Sequence, residues 1–185
     1  MHRVLIFAGA IATAQPAAAQ PDIQKGLEGA IRGCETWVLN PQTWADGPEA
    51  FVAAVGLGPQ MGLVDRVEAV NLPPASMRVA NRYWRINSTA GAGFVLVVSH
   101  SLPMCHITGG GDTDMQPIVA SVLASPAFKS RWILINESRS GDMATARYRS
   151  VEEPRFSMAI SRGGKPGERL DRVQVTATAV FDTAR

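Results

Sequence analysis

The chain has 185 residues, 46% of them hydrophobic and 18% charged, which suits one domain with a real core rather than two. Its 18 basic side chains nearly cancel 16 acidic ones, for a net charge of +2 at pH 7. No bulk field is left to recruit nucleic acid or an anionic membrane surface.

Residues 1–19 have the order of a secretory signal peptide: His2 and Arg3, an apolar run from position 4 to 12, then Ala17-Ala18-Ala19, which fits an A-x-A cleavage site. The run is too short to span a bilayer, and Pro16 with its neighbouring alanines supplies no amphipathic stripe. The expectation is an exported protein, periplasmic or extracellular, whose residues 20–185 form a single α+β domain. No later stretch offers about eighteen consecutive apolar residues, so no transmembrane segment is expected in the mature chain.

A first helix is read from Ile23, Leu27, Ala30, Ile31, Cys34, Trp37 and Val38, which recur at three- and four-residue steps and place Lys25, Glu28, Arg32 and Glu35 off the stripe. Asp22 is placed to cap it, and Asn40-Pro41 to stop it. Gly26, Gly29 and Gly33 count against it, because each costs about 1 kcal/mol relative to alanine in a helix. Asp46-Gly47-Pro48 opens a second helix with Phe51, Val52 and Val55 as its buried side, and Gly56 ends it.

The two cysteines, Cys34 and Cys105, have one possible pairing, and an even count in an exported chain favours a disulfide over free thiols. There is no C-x-x-C to support a redox or thiolate-metal site. Cys34 lies on the apolar stripe, where its sulfur would tether the first helix to a sheet.

From Leu63 the period changes from helical to alternating. Leu63, Val67 and Ala69 are read as one short strand closed by Pro73-Pro74, and residues 81–88 as a second strand with Trp84 and Ile86 facing inward. Residues 94–100 and 104–108 form the next pair, and a helix is expected at about 114–126. Strands then follow near 131–137, 142–149, 155–161 and 170–181. Short turns between them imply antiparallel pairing. The expected fold is therefore a twisted antiparallel sheet of about six to eight strands, with two N-terminal helices and one inserted helix packed on it. Residues 20–72 carry 3 basic and 7 acidic groups, whereas residues 73–185 carry 14 and 9. Most of that surplus is arginine on strands, and a solvated sheet face is preferred to an anion-binding one.

Candidate chemistry is concentrated in residues 94–128, which hold two of the three histidines, one cysteine, the triple glycine 109–111 and a close Asp pair. If Ser101-Leu102-Pro103 is the loop of a hairpin, His100 pairs with Met104 and Val98 with His106. Both imidazoles then share a face, opposite Cys105 and Ile107. With Asp112 and Asp114 they would offer N and O ligands to a divalent transition metal, although H-x5-H is not an established metal spacing and hydrogen-bonded histidines are the preferred reading. A loop one residue longer would turn His100 to the side of Cys105.

The glycines before the helix suggest an anion cradle, but Asp114 at the helix start competes with any anion, and neither a P-loop nor G-x-G-x-x-G is present. Ser99-His100-Ser101 alternates faces and cannot serve as a nucleophile-base pair, and Glu152-Glu153 sits in a turn. The four tryptophans are read as core or core-edge residues, unless two prove exposed on one surface. The leading functional reading is a small non-catalytic binding module whose partner is an envelope protein or a small molecule, with no nucleic acid involved. The alternative is a metal-dependent enzyme with its site at His100, His106 and Asp112. A weaker third reading is an apolar-ligand carrier with a cavity lined by Trp84, Phe94 and Leu123.

Overall fold

A computed structural model describes residues 23–87, 91–170 and 172–183. Asp22 and the signal-like segment fall outside the described residues. Among the described residues no helix is long and apolar enough to cross a membrane.

Three helices come first: α1 (Ile23–Leu39), α2 (Gln42–Ala45) and α3 (Pro48–Val55). α1 buries the stripe read from the sequence, Ile23, Leu27, Ala30, Ile31, Cys34 and Trp37, and its glycines are buried with it. They are there for clearance. A methyl group on Gly33 would come within 2.8 Å of Leu96 Cδ2 in the sheet, so the helix can lie this close only without a side chain there.

The strands are β1 (Met61–Val64), β2 (Asn81–Asn87), β3 (Ala92–Ser99), β4 (Met104–Gly111), β5 (Trp132–Ser140), β6 (Met143–Ser150), β7 (Phe156–Gly163) and β8 (Arg172–Phe181). They form one sheet in the order β1-β2-β3-β4-β8-β7-β6-β5. Two four-stranded meanders therefore meet at β4 and β8, and every pairing is antiparallel. The connection from β4 to the far edge carries α4 (Gln116–Ala124) and α5 (Pro126–Lys129), so the single inserted helix expected from the sequence is two short ones. The break is at Ser125-Pro126, where Ser125 caps α5 by accepting from Phe128 N.

The helices cover one face with Phe94, Leu96, Val98, Cys105, Ile107, Met158, Ile160, Val175, Ala177 and Ala179 beneath them. The Cys34–Cys105 disulfide ties α1 to β4 across a Cα separation of 5.5 Å. Glu35, one residue along α1, forms an ion pair with Arg131 and accepts from Trp132 Nε1 at 2.8 Å, fixing the same helix to the start of β5.

The expected strand through Val67 and Ala69 is shorter than read. Only residues 61–64 pair, and residues 65–80 leave the edge to cross the face turned away from the helices. Thr108 Oγ1 donates to Asn71 Oδ1 at 2.7 Å and Ser99 Oγ donates to the Val79 carbonyl at 2.6 Å, holding that segment in place. Val97 and His106, which point toward this face, are consequently only 0% and 6% exposed. β3 and β4 are thus covered on both sides, while Arg147, Arg149 and Ser157 on the matching face of the second meander are exposed.

The disulfide spans 71 residues, and closing a loop of that length removes about 4 kcal/mol of chain entropy from the unfolded state. Replacing Cys34 and Cys105 together by alanine should lower the unfolding free energy by about that amount in urea. A loss below about 1 kcal/mol would show that the crosslink restrains little in the unfolded chain.

Candidate functional site

The histidine–aspartate cluster that the sequence offered as an alternative is not assembled among the described residues. β3 and β4 pair with Val98 opposite Cys105 and Val97 opposite His106, one residue out of the expected register. That shift turns the two imidazoles to opposite faces. His100 sits in the turn after β3 on the helix side, edge-on to Trp37 and Trp44 at 5.1 and 4.9 Å, and accepts from Arg82 Nε at 3.2 Å. Burial and the neighbouring Arg82 hold its pKa below the usual imidazole range.

His106 lies on the other face, its Nδ1 2.8 Å from Thr178 Oγ1, and burial pushes its pKa down to about 4. Asp112 follows β4, its backbone N–H donating to Gly91 O at 3.0 Å. Asp114 accepts from Gln116 N at 2.9 Å and from Gly167 N at 2.7 Å. Among the described residues no three His, Cys, Asp or Glu side chains converge on a point where a metal ion would sit.

The glycine triplet is not a loop either. Gly109, Gly110 and Gly111 form the end of β4, with a bulge between Gly109 and Gly110 where β8 contributes an extra residue. That residue is Gln174, which is 0% exposed. Its Oε1 accepts from Met115 N at 2.8 Å, and its Nε2 donates to the carbonyls of Gly111 and Thr113. Together with the Asp114 carboxylate it occupies the amides an anion would have used.

A different recess is open. The helical layer stops short of the outer strands, leaving a cleft of about 490 Å³ between α4–α5 and the strands β5, β6 and β7. Strand pairing explains the room. Ala144 faces Arg139 on one side and Arg162 on the other, and Ala146 sits between Glu137 and Ile160, so β6 puts methyl groups where its neighbours carry long side chains. Leu123, Phe128, Trp132, Leu134 and Ile160 give one end an apolar lining, while Lys129, Glu137, Arg139 and Arg162 stand around the rest.

Arg139 and Arg162 lie two strands apart on the same face, about 10 Å between backbones. Among the described residues neither guanidinium has a hydrogen bond or ion pair. Tyr148 lies on the floor with its phenol pKa raised by burial and by Glu137, against a smaller opposing effect of Arg162, so it is a hydroxyl donor at neutral pH. Trp84, Phe94 and Leu123 do not share a cavity: of the three, only Leu123 borders this cleft. The sequence signal for the site was faint, consisting of two alanines where β6 presents its core face.

No family model matches the chain, and neither the curated proteins nor the solved structures contain a match to it.

His106 supplies a test of how firmly the covered face is closed. Its folded pKa lies below the unfolded value near 6.5, so the unfolded chain takes up a proton that the folded chain refuses. Stability associated with this group is therefore intact above about pH 6.5 and falls as pH drops toward 4, by on the order of 3 kcal/mol. Urea unfolding of wild type and His106→Gln between pH 7 and 4 should show the variant losing less. Parallel pH profiles would mean that the imidazole titrates normally and the face is open to water.

Proposed function

We propose that this protein is an exported, non-catalytic binding module that accepts an apolar chain bearing an anionic head in the cleft between α4–α5 and β5–β7. The observation that carries the reading is the pair Arg139 and Arg162, flanking Ala144 with no counter-charge bonded to either among the described residues, beside an apolar lining supplied by Leu123, Phe128 and Trp132. Guanidinium groups so placed suit a carboxylate or phosphate, which they bind through paired N–H donors, and Tyr148 adds a neutral donor on the floor. Lys129 supports the same sign of charge, and Glu137 opposes it on one flank only. Export is supported by the composition of residues 1–19 and by the Cys34–Cys105 disulfide, since such bonds persist in oxidising compartments.

Decanoate and decanol, which share a chain length and differ in the head, separate the parts of this reading. Titration of residues 20–185 by calorimetry should give at least tenfold tighter binding of decanoate. Each of Arg139→Gln and Arg162→Gln should weaken decanoate about tenfold, since a hydrogen bond to a charged group contributes about 1.5–3 kcal/mol. Ala146→Phe should abolish binding of both by filling the floor. Equal affinities for the two ligands, or no binding at millimolar concentration, would sink the proposal.

A further inference from the structure

Across the helical layer from that cleft, α1, α2, β1 and β2 enclose a second and smaller recess of about 150 Å³. Trp37, Trp44 and Trp84 form most of its wall, with Leu63, Arg82 and His100 around the mouth. Trp37 and Trp44 stack with ring centres 4.6 Å apart, and His100 packs edge-on against both. An apolar cavity of roughly this size holds one benzene-sized ring. We propose that this recess is a binding site for a small planar aromatic acid, its ring against the tryptophans and its carboxylate on Arg82.

Charge decides the class of ligand. Aromatic cages commonly take quaternary ammonium groups, drawn by the negative faces of the rings, an attraction that a fixed positive charge at the mouth opposes. Here no carboxylate lines the recess and a guanidinium stands at its mouth. Arg82 uses Nε to donate to His100 Nε2, which leaves its two terminal amino groups with no partner among the described residues and free to grip a carboxylate. The same hydrogen bond fixes His100 as an acceptor, so the imidazole is neutral and adds no charge of its own.

The polar inventory of the wall is also incomplete. Trp37 Nε1 donates to the Ser99 carbonyl and Trp44 Nε1 to the Trp37 carbonyl, at 2.8 and 3.0 Å. Trp84 Nε1 is buried with no acceptor among the described residues, an arrangement that native interiors rarely keep. Arg82 and Leu63 are both exposed, so the recess opens to solvent on the side that carries the charge.

The fourth tryptophan provides an internal control. Trp132 is bound to Glu35 Oε1 and borders the other cleft, so it should not report a ligand held by the other three. Benzoate, titrated to millimolar concentration into 15N-labelled protein, should move the indole N–H signals of Trp37, Trp44 and Trp84 saturably and leave that of Trp132 in place. Arg82→Gln, a surface change, should weaken benzoate about tenfold while altering the affinity for neutral benzyl alcohol less than twofold. Absence of saturable shifts, equal shifts at all four indoles, or an unchanged benzoate affinity in Arg82→Gln would each overturn the site. Tighter binding of benzyltrimethylammonium than of benzoate would overturn the assigned ligand class. None of these readouts depends on whether decanoate binds the cleft beside Ala144.

Discussion

The covalent join between Cys34 and Cys105 sets the position of almost everything else. β4 is the strand on which the two meanders meet, so anchoring α1 to it places the helix over the midline of an eight-stranded sheet. From there α1 reaches both halves. Trp37 at its C-terminal end donates to the carbonyl of Ser99 at the end of β3, and Glu35 holds Arg131 and Trp132 at the start of β5. Gly33 then lets the backbone settle onto Leu96. A long helix making so few polar contacts would slide on an apolar sheet without such a pin. With it, the distances from α1 to both edges are fixed, and so is the place where the helical layer runs out.

Strands with strict alternation were legible in the sequence to within two or three residues. β7 and β8 declare themselves because one face buries Phe156, Met158, Ile160, Val175, Ala177 and Ala179 while the other remains polar or half-exposed. The disulfide was legible because two cysteines permit one pairing. What failed failed by single residues. One residue more in the turn after β3 separated His100 from His106, and one extra residue in β8 made Gln174 a buried hub. Local composition carries no record of either, because a bulge or a longer turn is decided by long-range pairing. Residues 65–80 misled for a related reason: their apolar side chains serve a cover over the sheet rather than a strand within it. The cleft was nearly illegible, since an empty space is defined by what Ala144 and Ala146 do not fill.

The arginines of the second half of the chain fall into groups by what they engage. Arg131, Arg155 and Arg169 are committed to Glu35, Glu153 and Asp142. Arg155 also lies over the Phe181 ring at 4.6 Å, closing the end of β8. Of the arginines not so engaged, Arg147 and Arg149 stand on the bare face of the second meander, while Arg82, Arg139 and Arg162 stand at a recess. Solvation of a sheet face accounts for the first group. It does not account for Arg139 and Arg162, which flank a methyl group in a hollow.

Coverage of the sheet is unequal, and this has a mechanical consequence. β3 and β4 lie between α1 on one side and residues 65–80 on the other, so their backbone amides can be released only by dismantling three layers at once. β5 and β6 have water along one face, end in an unpaired edge where Ile133, Leu134 and Ile135 are exposed, and are held to α1 chiefly through Glu35. Deuterium uptake should accordingly be slow around the disulfide and fast along the outer edge, a gradient of local opening built into one continuous sheet. The softer end is the one that borders the cleft beside Ala144, so movement of those strands disturbs the rest of the fold least.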